Sequence, residues 1–479
     1  MAYASDNTQR NILLHLLAHL AKLIHFFLIS TFPQSSRVKR TDNLYLEVLG
    51  LGGLFLFLAT LNLSTDLNRY GELMLIAAFV LSWKYWGRIL VKQPLFWLMT
   101  AFALSLVIST LIGMHLFPEV RHYAEARTMA RFCLFVPLAW WIGSNPASIR
   151  NAFFLVCLFF TLSSMVWILD WNTLNYFLEG NRPERGMLGP ESSRLAGESI
   201  LRYASWTGML LVGASVLGSD LLPDSLKSGK LKILGYLVFT FIIVTLILGT
   251  YVVQARGIWI SVLISLPVGL ICRYCIFQSR PKMTFKNLAL PALICLMLIT
   301  LTALNFKTIQ ERFLQDKDNI TNLLTGQIEE VQARSVGYRA QMYLWTLEAE
   351  HSIFGKGARA IQAINDSDKL SQEYKWEVGK THLHSDYLAT LYRLGIIGII
   401  VVAAILFCTT KQIYHGYKKR LIDPVFYVLF VSVLSYLVIS AITNINIRNH
   451  AFYAIPYAIF FSFILMAQLS NNLNTSDGL

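Results

Sequence analysis

Residues 233–253 read ILGYLVFTFIIVTLILGTYVV, residues 254–256 read QAR, and residues 257–277 read GIWISVLISLPVGLICRYCIF. At 1.5 Å per residue, each apolar run of about twenty residues is a helix long enough to cross a hydrocarbon core of roughly 30 Å. With only Gln254 to Gly257 between them, the two runs read as a transmembrane hairpin with Arg256 at its tip. Working outward, further apolar runs lie near 44–63, 73–83, 95–117, 128–143, 152–169 and 204–222 before the hairpin. After it they lie near 288–305, 387–410, 424–442 and 451–469, which gives about twelve spans.

Composition agrees with this reading. Of 479 residues, 55% are hydrophobic and only 14% charged, against roughly 25% charged in soluble domains. A soluble enzyme is excluded. The net charge of +13 does not point to nucleic acid, because the basic residues sit in short loops between apolar runs and not on one soluble face. The six cysteines lie in or beside apolar runs. The one close pair, Cys272 and Cys275, has neither a second pair nor a histidine beside it, so no metal or disulfide framework is expected. In 12–32, His15, His19, Lys22 and His25 fall on one helical face, which suits a helix lying in the membrane interface better than a cleavable signal.

Lys and Arg concentrate in cytoplasmic loops. The clusters Arg37/Lys39/Arg40, Lys84/Arg88/Lys92, Arg150, Lys227/Lys230/Lys232, Arg273/Arg280/Lys282/Lys286 and Lys411/Lys418/Lys419/Arg420 share one parity, with almost no acid until Asp423. Both termini are therefore expected in the cytoplasm. The opposite parity holds the charge-balanced loops 64–72, 118–127, 171–203, 254–256, 306–386 and 443–450. The longest, 306–386, is large enough for a small helical cap, with helical patterns over 320–336 and 338–349. The expected segments are a cytoplasmic stretch with an interfacial helix (1–43), nine spans (44–305), the large loop (306–386), three spans (387–469) and a cytoplasmic tail (470–479).

Arginine at a helix centre costs roughly 2.5–3.5 kcal/mol on insertion scales, and less near an interface. Arg256 alone would read as a snorkelling anchor. It is accompanied on the same face by Arg182, Arg185, Arg194 and Arg202 in one loop and Arg339 and His384 in another. Converging guanidinium forks suit a phosphate or pyrophosphate group. His384, in His382-Leu-His384-Ser-Asp386, has the acid–base range for a general base, and His382 has it equally; the alternative is a histidine packed at a helix start beside Asp386.

Several motifs occur in a fixed order. Gln254-Ala-Arg256-Gly-Ile-Trp259 is followed by Tyr338-Arg339-Ala-Gln-Met-Tyr-Leu-Trp345 and Phe354-Gly355-Lys-Gly357. Then come His384-Ser-Asp-Tyr-Leu388 and Leu394-Gly395-Ile-Ile-Gly398. Together they resemble the O-antigen ligase and O-antigen polymerase superfamily, and the ligases in particular. The resemblance implies an all-α, GT-C-like membrane fold in the bacterial inner membrane with a periplasmic active site. It also implies an inverting glycosyltransferase, needing no metal or other cofactor, that moves glycan from undecaprenyl pyrophosphate to lipid A-core in lipopolysaccharide biosynthesis. By the same resemblance, Arg256 and one of Arg194 and Arg202 bind the donor pyrophosphate and His384 is the catalytic base; Arg339 joins the donor pyrophosphate set as one of the arginines converging on that face. His382, Asp386 and Tyr338 are secondary candidates. The family's Asn after the histidine is Ser385 here, and its Ser before Arg-Gly is Ala255.

Other acceptors define the alternatives: a second lipid-linked repeat for a polymerase, or a hydroxyl amino acid for a protein O-oligosaccharyltransferase. One dominant exterior loop favours the ligase. A transporter or flippase of lipid-linked sugars would need repeated halves and ionisable groups near mid-membrane, which the sequence does not display clearly.

Overall fold

The computed structural model describes residues 26–33, 40–61, 65–168, 199–227, 229–252, 255–277, 310, 314, 317–319, 321–327, 335–348, 351–361, 383, 385–443 and 452–476, some by backbone alone. Among these, every regular element is a helix. The longer elements are α1 (Leu44–Ala59), α2 (Thr65–Leu81), α3 (Trp83–Leu90), α4 (Pro94–Leu116), α5 (His122–Ala130), α6 (Phe135–Ile142) and α7 (Pro146–Ile168). They continue as α8 (Ser199–Leu217), α9 (Lys232–Val252), α10 (Arg256–Phe277), α11 (Ser335–Glu348), α12 (Asp386–Lys418), α13 (Pro424–Thr443) and α14 (Ala454–Ser476).

Local chemistry sets the helix starts. The Asn43 side chain accepts from the Tyr45 and Leu46 amides at α1, and Pro94, whose missing N–H costs nothing at a first helical position, opens α4. Ser385 caps α12, its hydroxyl accepting from Leu388 N.

Six of the described helical segments are long and apolar enough to cross a membrane, within α4, α7, α9, α10, α12 and α13, and the pair α2 and α3, bent by 80°, makes a seventh if taken as one span. α1 and the stretch Ala454–Leu469 of α14 are apolar but shorter. This is a multi-pass membrane protein, and among the described residues fewer full spans stand than the dozen expected from apolar runs. In the expected fourth span, 128–143, the chain is helical without a break from His122 to Ile142, as α5, a 3-10 turn at Arg131–Leu134 and the eight-residue α6, and it ends at Gly143 with φ +80°; this helical stretch carries Glu125, Arg127 and Arg131. The expected ninth span, 288–305, lies outside the described residues. So does most of the proposed interfacial helix, of which 26–31 is helical, with Phe27 edge-on to Phe55 of α1.

Leu104, Leu111, Leu263, Ile271, Ile400 and Phe407 are exposed along the long helices. In water such bands would be an aggregation hazard, whereas against lipid they are the ordinary surface of a span. The core runs through α7, α8, α10, α13 and α14, where Trp206, Tyr436, Phe452 and Phe460 are buried.

One end of the bundle collects basic side chains. Arg40 donates to the Phe32 and Ile142 carbonyls, both at 3.0 Å. Arg150 pairs with Asp224 at 2.6 Å, and Arg273 pairs with Asp220 at 3.0 Å and donates to Leu217 O. The near absence of acid expected on this side is therefore corrected: Asp220 and Asp224 stand there and are consumed by neighbouring arginines. In 306–386, the helix expected over 320–336 ends early. At Gly326 (φ +76°) the chain turns left-handed and Gln327 N donates back to Asn322 O at 2.8 Å. The helix expected over 338–349 is present as α11.

Candidate active site

The sequence-predicted residues divide by what can be seen of them. Arg194, His382 and His384 lie outside the described residues. Arg202 in α8 and Arg256 at the start of α10 are placed by backbone, as is Tyr338 in α11. Arg339 is half-buried in α11, and Asp386, the first residue of α12, is 5% exposed.

Packing brings these placed positions to the bundle end opposite Arg273. The turn between α9 and α10 is clasped by Trp259, whose Nε1 donates to Thr250 O at 2.9 Å. One residue after Arg202, Tyr203 stacks on Phe160 with centroids 5.4 Å apart. A Cβ added at Gly249 would sit 2.7 Å from the Tyr203 hydroxyl, so the α9 terminus and the α8 start touch. Trp206 then meets Phe452 edge-on at 5.4 Å, Phe452 meets Tyr453 at 5.3 Å, and the Tyr453 hydroxyl donates to Asp386 Oδ2 at 2.5 Å. A train of aromatic rings thus runs from beside Arg202 to Asp386.

α11 closes this end from the other side. Met342, Ala360, Ile361, Leu383, Ala389 and Tyr392 form a small core of their own, with Phe117 and Tyr343 against it. The Tyr343 hydroxyl donates to Ile442 O at 2.6 Å, and that of Tyr387 to Val438 O at 3.0 Å, tying α11 and α12 to α13. Burial pushes the Tyr343 hydroxyl pKa up; Arg339 pulls it down and Asp386 adds to the rise. Both charges therefore act on one ring. Leu383 and Ser385, which flank His384, are buried.

Beneath this surface α12 is interrupted. Gly395 has φ +73°, ψ −167°, well outside helical geometry. The Ser352–Gly357 turn occupies the break. Lys356 N donates to Tyr392 O at 3.1 Å and Gly357 N to Arg393 O at 3.3 Å, while Ile396 N donates to Ser352 O at 3.4 Å and Ile397 N to Ile353 O at 3.1 Å. Two carbonyls and two amides that would bond each other in a continuous helix bond the turn instead. Within a membrane each such group left unpaired costs several kcal/mol, so the turn is what makes the break tolerable. Added Cβ atoms would lie 2.3 Å from Gly355 N at Gly395 and 2.1 Å from Arg393 O at Gly355, which explains the glycines of the two motifs.

Just below, Arg393 pairs with Glu125 of α5 at 3.1 Å, both side chains less than a tenth exposed, and the Ser109 hydroxyl donates to Arg393 O. His122, fully buried, accepts the Arg359 amide on Nδ1 at 3.2 Å. Burial lowers its pKa, the Phe117 carbonyl and Glu119 opposing and Arg359 reinforcing. Sequence reading missed this layer. Its signal was present as a lone arginine within the apolar run 387–410. A second ion pair inside the bundle, Arg131 with Glu72 at 2.7 Å, corrects the view that charges gather at one face alone. Among the described residues no three His, Cys, Asp or Glu side chains converge as a metal-ligand set.

The described residues of the ordered motifs thus share one end of one bundle. Residues 241–403 match the O-antigen ligase family. The matched segment begins within α9, includes the Arg256 turn, α11 and the inserted turn, and ends in α12 beyond Gly395. It supports placing the chain in the O-antigen ligase and polymerase superfamily, whose members are glycosyltransferase-like enzymes. Arg194, Arg202, His122 and Glu125 fall outside the matched segment. No curated protein matches the chain.

Proposed function

We propose that the protein is an O-antigen ligase that transfers glycan from undecaprenyl pyrophosphate to lipid A-core at the periplasmic face of the inner membrane. The observation that carries this reading is the meeting of the Arg256 helix start, the Arg202 helix start, Arg339 and Asp386 at one bundle end, within or beside the segment that matches the family. α11 and the turn inserted at Gly395 act as a cap over this end.

In the proposed reaction an acceptor hydroxyl attacks the anomeric carbon from the face opposite the pyrophosphate. The new C–O bond forms as the bond to the phosphate oxygen breaks, with inversion. The leaving electron pair stays on the pyrophosphate, where Arg256, with Arg194 or Arg202 and Arg339, stabilises the developing charge more than it stabilises the ground state. The acceptor proton passes to His384, or to His382 in the second assignment. Asp386, held by Tyr453, fixes the helix start that follows His384.

The discriminating experiment uses purified protein with lipid-linked glycan donor and lipid A-core. A new glycosidic bond in wild type, lost in both Arg256→Ala and Arg256→Lys at normal protein levels, supports the reading, because lysine keeps the charge and lacks the planar fork. Near-normal transfer by Arg256→Lys leaves only an anchoring role. In a deletion strain, bare core with polymer accumulating on its carrier indicates a ligase, core bearing a single repeat indicates a polymerase, and lipid movement without bond formation indicates a carrier.

A further inference from the structure

Between α2, α4 and the α5–α6 stretch lies a cleft of about 510 Å³, a size typical of small-ligand sites. Its depth follows from the packing. Phe132 meets Phe102 edge-on at 5.3 Å, near the middle of α4, while His122, at the start of α5, packs on Gly113 near the outer end of α4. α5 therefore descends from the outer end toward mid-bilayer, and Arg131 lies deeper than Arg127 by about one turn. The deeper walls are Ile76, Phe79, Met99 and Val136. Leu73, at the mouth, is 61% exposed, so the cleft opens sideways onto the lipid-facing surface.

The charges are unequal. Three arginines and one glutamate line the cleft. Arg131 engages Glu72 through both carboxylate oxygens, with Nε to Oε1 at 3.2 Å and Nη2 to Oε2 at 2.7 Å. Among the described residues Arg69 pairs only with Asp66, and both side chains are more than half exposed. Among the described residues Arg127 makes no ion pair. With Asp66 included, three guanidinium groups face two carboxylates, a net of +1 at a lipid-facing opening. An arginine beside hydrocarbon is costly unless a counter-charge meets it.

We propose that this cleft binds an anionic phospholipid of the surrounding bilayer. One phosphodiester, carrying a single negative charge, sits against Arg127 and Arg69, and an acyl chain lies along Ile76, Phe79, Met99 and Val136. The single residual charge matches one phosphodiester, and the apolar depth beneath it matches a chain and not a free ion. The site is separate from the Arg256 and Asp386 end, and the inference stands on the membrane placement alone, independent of the transfer reaction.

The test is lipid retention by the full-length protein in a neutral detergent, titrated with phosphatidylglycerol or with phosphatidylcholine of the same chains and read by native mass spectrometry. Wild type is expected to retain phosphatidylglycerol preferentially, and Arg127→Gln to lose roughly five- to tenfold of that retention, the scale of one cation near an anionic headgroup. Ile76→Trp, which fills the slot without touching charge, should lose it as well. Arg127 is exposed, so folding should survive its replacement; if it does not, Ile76→Trp decides. Equal retention of both lipids by wild type, or undiminished preference in both variants, overturns the proposal. Stoichiometric displacement of phosphatidylglycerol by undecaprenyl phosphate also overturns it, because the cleft would then be a substrate site.

Discussion

Replacing Gly395 by alanine tests whether the inserted turn is held as described. A side chain at φ +73°, ψ −167° costs about 1–3 kcal/mol in backbone strain alone. The new Cβ would also lie 2.3 Å from Gly355 N and 2.4 Å from the Ser352 and Ile353 carbonyl oxygens, so the turn must withdraw. Withdrawal takes the acceptors from Ile396 N and Ile397 N, and each buried amide left unmade costs about 1–3 kcal/mol. Allowing for partial relaxation, the sum is roughly 3–6 kcal/mol of local stability. Hydrogen exchange on protein in lipid nanodiscs should show amides 396 and 397 exchanging at least about 10²-fold faster, since 1.4 kcal/mol is a factor of ten. Ile400→Ala, at a lipid-exposed position one turn on, serves as control and should leave these rates unchanged. Wild-type exchange at both amides in Gly395→Ala would refute the insertion.

His384→Ala should keep donor binding while transfer falls by roughly 10²- to 10⁴-fold, and the rising limb of the pH–rate profile should vanish with it; full activity would move the base to His382 or Asp386. Glu125→Gln removes the carboxylate charge from beside buried Arg393 and should cost about 3–5 kcal/mol in a denaturant titration, with Glu125→Leu/Arg393→Met less harmful than either single change. For His122, whose folded pKa is depressed, the unfolded chain takes up its proton first as pH falls below about 6.5. Stability should therefore decline from there down to the folded pKa, and His122→Asn, which keeps an acceptor for Arg359 N, should flatten that decline in unfolding measured from pH 7.5 to 5.

The hairpin at 233–277 was legible because a long apolar run has one structural outcome in a bilayer, and α9 and α10 end within a residue or two of the apolar boundaries. In the stretch 128–143 the end at Gly143 was legible, whereas hydropathy does not report that Arg131 is paired with Glu72 or that the helix begins earlier, at His122. The site was legible in part. Arg256 could be singled out because a charge between two apolar runs stands out, and Asp386 because it stands beside His384; both begin helices at one bundle end. The Arg393–Glu125 pair joins residues 268 apart, and no local pattern connects them. Gly355, Gly357 and Gly395 could be quoted as motifs, but their meaning lies in backbone groups exchanged between two segments, which side-chain patterns do not encode.

That exchange makes the Ser352–Gly357 turn and α12 a single heritable part. A chimera that transplants 306–386 from a relative onto this bundle would bring a foreign turn to a gap shaped for Gly355 beside Gly395, while one that carries 351–397 across intact keeps lock and key together. Recombination junctions between such proteins should therefore be tolerated ahead of Ser352 or beyond Ile397, and selected against in the interval between.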